Sequence, residues 1–214
     1  MNYGVSMNPI IPRILSNMYC KGCPIFENKK YADHIDARNR ALKLNAQYAQ
    51  YIPHVIKILF IGESPPQAFI EHENAYFYAS GPERPRSLAY YMNQVLFGGE
   101  VTSKEDFFKK FKEHGFYFID MVKCPIGRLN NNWERKAIIE HCAKYLSEEL
   151  QTLKFEKAVF MGKTTFKHIK KYLKLDFSHH VIPLPFRNNR NVIAFKTKLA
   201  RILAKGEENE EDDC

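Results

Sequence analysis

No stretch of this sequence approaches the ~18 consecutive apolar residues of a membrane-spanning helix, and its first residues lack the pattern of a secretory signal. A cytoplasmic or nucleoid-associated protein without a membrane partner is therefore expected. The five cysteines are not expected to pair as disulfides in a reducing cytosol. Gly162-Lys163-Thr164 has the look of a phosphate-binding P-loop. That pattern needs a glycine five residues ahead of its Gly-Lys, and position 157 is Lys, so the reading fails.

What the chain does contain is enough apolar material, 45% of 214 residues, to bury a core. At this length the simplest organisation is one domain, taken here as residues 1–205, with an acidic, disordered tail over 206–214. The formal charge of +8 is unevenly spread. Six acidic side chains sit in the tail, so residues 1–205 carry +14. Such a body attracts polyanions, of which nucleic acid is the commonest, although a solvated lysine-rich surface gives the same count.

The apolar run Val55–Ile61 stops at Gly62-Glu63-Ser64-Pro65-Pro66. Its composition suits a strand covered on both faces, and the glycine and prolines force the backbone out of the sheet. In open α/β sheets ligands bind beyond the carboxyl ends of strands, so Glu63 is either a catalytic or ligand group or the cap of a turn. Further strands are expected at Phe116–Val122, Lys157–Gly162 and His180–Pro185. Helices are expected over Asp33 to about Tyr51, Ser87–Phe97, Lys104–Lys112, Trp133–Leu150 and a last one to about Lys205. Strands alternating with helices give an α/β fold, a three-layer αβα sandwich on a four-stranded parallel sheet. Its carboxyl rim gathers Glu63, Asp120, Gly162 and Arg187. An acid inside an apolar run, as Asp120 is, is costly unless paired or near a site. Tyr76-Phe77-Tyr78 offers rings to stack on a nucleobase or to fill the core. Asn131 and Glu134 have the spacing of a capping box, and Cys142 is expected to face inward on its helix.

Cys20, two residues, Cys23, then 100 residues, Cys124, then 17 residues, Cys142 is one tight pair plus two singles. The set suits a four-thiolate centre, iron–sulfur or zinc, and leaves Cys214 over. With this spacing the chain resembles the uracil-DNA glycosylase superfamily, in its iron–sulfur branch, the family 4 enzymes of archaea and bacteria. Gly62-Glu63-Ser64-Pro65-Pro66 is similar to that branch's Gly-Glu-Ala-Pro-Gly. Asp120-Met121-Val122-Lys123-Cys124-Pro125 is similar to its Asn-x-x-Lys-Cys-x-Pro, and Val159–Thr165 to its hydrophobic strand with Gly-x-Thr-Ala. Its His-Pro-Ser motif falls at Phe186-Arg187-Asn188.

The resemblance implies a monomeric DNA-repair enzyme that flips a deaminated base, uracil or a related lesion, out of single-stranded or lesion-containing DNA and hydrolyses its N-glycosidic bond. It implies a [4Fe–4S] cluster, with zinc as the alternative, on Cys20, Cys23, Cys124 and Cys142. Glu63 and Asp120 become catalytic candidates. Gly62, Ser64, Pro65, Phe77, Tyr78, Phe186, Arg187 and Asn188 become the substrate pocket, and Lys123, Arg128, Lys163 and Arg190 the phosphate contacts. Two departures bear on activity. Asp120 stands where the family has a base-reading asparagine: ionised it accepts but does not donate, protonated it mimics the amide. Phe186 stands where the family has a histidine donor, whose loss typically costs about 10²–10³ in rate. A nucleic-acid or damage-binding protein on the same scaffold is the alternative to an enzyme.

Overall fold

The computed structural model describes residues 20–23, 26, 28, 31–47, 51–127, 129, 132–186 and 188–204. The acidic tail, Arg128, Asn131 and Arg187 lie outside them.

Four strands form one sheet: β1 (Ile56–Gly62), β2 (Phe116–Asp120), β3 (Phe155–Met161) and β4 (Ser178–Ile182). They run parallel in the order β2-β1-β3-β4. β1 is central, and every one of its residues except Lys57 is buried, as an aliphatic run covered on both faces requires. β4 ends at Ile182 because Pro183 and Pro185 bring no N–H to the ladder. Chain order reverses direction across β1, which creates a topological switch point between β1 and β3. That is where parallel sheets leave a crevice.

The helices are α1 (Ala32–Gln47), α2 (Leu88–Leu96), α3 (Lys104–Glu113), α4 (Asn132–Thr152), α5 (Lys163–Ile169) and α6 (Asn189–Ala204). Serines start two of them: Ser87 Oγ accepts from Tyr90 N at 3.0 Å and Ser103 Oγ from Asp106 N at 3.1 Å. α1 is described over Ala32–Gln47; residues 48–50 of the helix expected to about Tyr51 lie outside the described residues. On α4 the inward residues are Ile138, Ile139, Ala143, Leu146 and Leu150. Cys142 is partly exposed yet packs against the core, on the inward side expected for it, and lines a cavity with the other cysteines.

One side of the core is aromatic. α3 buries Phe107, Phe108 and Phe111, and Phe77 packs on all three and on Phe118 of β2. Most of the Tyr76-Phe77-Tyr78 triplet is therefore core. The Tyr78 hydroxyl donates to Phe118 O at 2.8 Å, pinning the loop to β2.

Candidate active site

At the carboxyl ends of the strands the backbone ladder runs on past the sheet. Met121 N donates to Gly62 O at 2.8 Å and Val122 N to Glu63 O at 3.0 Å, so the segments after β1 and β2 are held side by side. Gly62 lies opposite Asp120 in the register. A Cβ at Gly62 would sit 2.7 Å from Asp120 Oδ1 and 2.7 Å from the Phe118 ring, so only glycine lets these groups approach. After β3, Gly162 holds φ +124° and leaves room for Glu63, whose Oε2 would be 3.3 Å from a Cβ there.

These loops enclose a cleft of about 920 Å³, within the usual size of a small-ligand site. Gly62, Glu63, Ser64 and Pro65 form one wall, and Gly162, Lys163 and Thr164 another. Phe118 and Asp120 form the floor with Tyr76 and Phe77, and Phe186 closes an edge. Phe77 and Phe118 lie 4.2 Å apart between centroids, tilted by 32°. Phe186 is 39% exposed and meets Tyr91 edge-on.

Asp120 is 3% exposed, and its Oδ2 has no hydrogen-bond partner among the described residues. Burial pushes its carboxyl up to about 7, against the pull of Lys123 and of a hydrogen bond from Tyr76, with Glu149 and Glu63 adding to the rise. Glu63 is ion-paired with Arg135 Nη2 from α4, and the same guanidinium donates to Ile126 O at 3.3 Å. Nothing in the sequence marks Arg135 out from the many other basic residues. Arg84, Arg86 and Ser87, also on the cleft wall, escaped for the same reason. Arg86 holds φ +65°, a left-handed conformation uncommon for a non-glycine residue.

Other expected site residues fall elsewhere. Tyr78 lies in the core rather than on the cleft, because its hydroxyl is committed to β2. Lys123, expected among the phosphate contacts, is turned inward, donating to Asp120 O and to Glu149 Oε2, each at 2.7 Å, which ties up its ammonium inside the protein. Asn188 accepts from Asn191 N at 2.9 Å at the start of α6, and Arg190 is exposed in the first turn; neither lines the cleft, although Asn191 does. Arg128 and Arg187 lie outside the described residues. Lys163 is exposed on the cleft wall.

The four cysteines line a second, smaller cavity with Arg38, Met121, Lys123, His141 and Tyr145. Gly22, at φ +77°, makes the tight turn between Cys20 and Cys23, whose N and O join at 3.0 Å. Buried Arg38 donates to Cys20 Sγ at 2.5 Å. Burial pushes the Cys142 thiol up to about 12, with Cys23 and Cys20 adding to the rise, and burial raises Cys20 and Cys124 as well. Among the described residues no three or more His, Cys, Asp or Glu side chains are grouped closely enough to hold one ion. A zinc tetrahedron, with each sulfur about 2.3 Å from one ion, is therefore not preformed. Lys123 lines this cavity and also holds the Asp120 main chain, so one side chain links the two sites.

A model of the uracil DNA glycosylase superfamily matches residues 49–205, which takes in all four strands and both walls of the cleft. The chain belongs to the uracil DNA glycosylase superfamily. Members of this superfamily act on DNA, and the cleft at the switch point corresponds to a glycosylase-like domain. Comparison with curated protein sequences found no significant match. Cys20 and Cys23 precede the matched segment, whereas Cys124 and Cys142 fall within it. No helix among the described residues is long and apolar enough to cross a membrane.

Proposed function

We propose that this protein is a DNA glycosylase that takes a deaminated base, uracil or a related lesion, into the cleft and hydrolyses its N-glycosidic bond. The observation that carries the reading is the convergence of Glu63, Asp120 and Phe77 on one 920 Å³ cleft at the carboxyl ends of β1 and β2. In such a reaction water adds its hydroxyl to the sugar carbon and its proton to the departing base. The sugar passes through a cationic state while the base takes the bonding pair. The Glu63 carboxylate is positioned by Arg135 to face that cation or to orient the water. Phe77, backed by Phe118 and α3, offers a ring face to the base. Phe186 brings no donor to the leaving group, and this favours the second reading, a protein that binds lesions without releasing the base.

Single-turnover assays with excess protein and labelled oligonucleotides carrying uracil, hypoxanthine or xanthine, single- and double-stranded, separate the two. Release from at least one is expected. Tight, salt-sensitive binding with no release from any would make this a recognition protein.

Lys163, Lys167 and Lys170 are exposed at four- and three-residue spacing, so they share one side of α5 and the turn after it, leading away from the cleft wall. This stripe is proposed to carry the DNA backbone. Replacing all three by Gln is expected to flatten the slope of log affinity against log salt by about 0.7–0.9 for each phosphate that the lysines no longer neutralise. An unchanged slope would remove the stripe from the interface.

The four cysteines are proposed to hold a [4Fe–4S] cluster, which spreads its thiolates more widely than a single ion does, with the Arg38 guanidinium on Cys20 Sγ offsetting its negative charge. Its role here is structural, fastening residues 20–23 to the segment after β2 and to α4. Anaerobically purified protein is expected to be brown and to contain iron and acid-labile sulfide in equal amounts, and Cys124→Ser to lose both colour and thermal stability. Colourless protein with one zinc would overturn the assignment.

A further inference from the structure

We propose that Asp120 reads its base as a neutral carboxylic acid, and that this restricts the cleft to bases presenting a carbonyl oxygen on the edge that meets it. The inference rests on the glycosylase reading for its ligand, but its geometry is independent of that reading. A carboxyl that is 3% exposed, on the floor of an open cleft, with one oxygen lacking any partner among the described residues, is a group built to be satisfied by a ligand.

The charged and titratable groups around it explain the neutral form. Lys123 beside it favours the anion, yet its ammonium is shared between the main-chain oxygen of Asp120 and the Glu149 carboxylate. Glu149 from α4 and Glu63 from the end of β1 disfavour a further negative charge. From the loop after β1, Tyr76 hydrogen-bonds the carboxyl and Tyr78 lies within electrostatic reach. Desolvation outweighs the favourable contacts, and the carboxyl titrates at about 7.

The chemistry of the leaving group points the same way. A base departing with the bonding pair becomes anionic, and a fixed carboxylate against it would raise the barrier. An O–H donor toward its carbonyl lowers it. The neutral acid thus supplies a hydrogen-bond donor where an ionised Asp would only accept. Because Tyr76 hydrogen-bonds the carboxyl while Oδ2 has no partner among the described residues, the other oxygen is the acceptor and the acid's proton falls on Oδ2. Oxo-bases such as uracil, hypoxanthine and xanthine match that donor, whereas cytosine and adenine bring it an amino group.

The test follows single-turnover release and binding of oxo-base oligonucleotides from pH 5.5 to 9, comparing the natural protein with Asp120→Asn, a variant of nearly the same shape. For the natural protein, release and the preference for an oxo-base over its amino counterpart are expected to fall about tenfold per pH unit above the midpoint. In the variant both become flat over that range, at a level no lower than the natural protein's at pH 8. A natural profile that is flat or rises through pH 7, or a variant that keeps the same alkaline decline, would overturn the proposal. If neither protein releases any base but binding preference shows the decline in the natural protein alone, the glycosylase reading fails and the role of Asp120 stands. If neither release nor preference depends on Asp120, the proposal fails.

Discussion

Glu63→Gln is expected to lower single-turnover base release by about 10²–10⁴-fold while leaving DNA affinity and folding close to those of the natural protein. The substitution keeps the shape of the side chain and an oxygen for Arg135 Nη2 to donate to, so the cleft wall stays in place. What disappears is one negative charge beside the position of the cationic sugar. The loss should therefore fall on the rate of the bound complex and not on binding, which is the mark of an interaction made in the transition state. The oligonucleotide dissociation constant, measured alongside, distinguishes this from a damaged cleft. A fall in rate of less than about tenfold would take Glu63 out of the chemistry. In that case the ion pair with Arg135 would be an architectural strut.

Much of this arrangement was legible in the sequence because it rests on local signals. The aliphatic run before Gly62 and the aromatic run before Asp120 were readable as buried strands, and an acid at the end of each announced the rim of a parallel sheet. The cysteine spacing announced one shared centre, and the four side chains do line one cavity. What escaped depends on where long side chains turn. Lys123 lies three residues after an acid and directly before a cysteine, which suits a phosphate contact on paper; its ammonium points inward because Glu149, 26 residues on, is buried within reach. Arg135 is one basic residue among 32 Lys and Arg until α4 docks against the end of β1. Tyr78 differs from Phe77 by one position in a turn, and that one position sends its hydroxyl to β2 rather than toward the cleft. No sequence period encodes these choices, because they are settled by contacts between elements far apart in the chain.

Lys123→Met is expected to cost about 3–5 kcal/mol of folding stability, read as a lower midpoint in urea with an unchanged slope. Glu149 is 1% exposed and the Lys123 side chain 11% exposed, and they meet at 2.7 Å. Removing the cation leaves a carboxylate in the interior without its counter-charge, and removes the donor to Asp120 O. The Lys123→Met/Glu149→Leu pair should recover most of the loss, since two apolar side chains of similar volume leave no buried charge to offset. If the double variant is as unstable as the single one, packing against the cysteine cavity, and not the ion pair, is what Lys123 contributes. The salt dependence of DNA binding should match the natural protein in both variants, which a phosphate-contacting lysine would not allow. There is also a consequence at the cleft floor. Lys123 holds the Asp120 carboxyl down and Glu149 pushes it up, so the single variant should move the alkaline limb of base release to higher pH. The double variant should bring it part of the way back. A limb that stays fixed in both would mean that Asp120 is not the group being titrated.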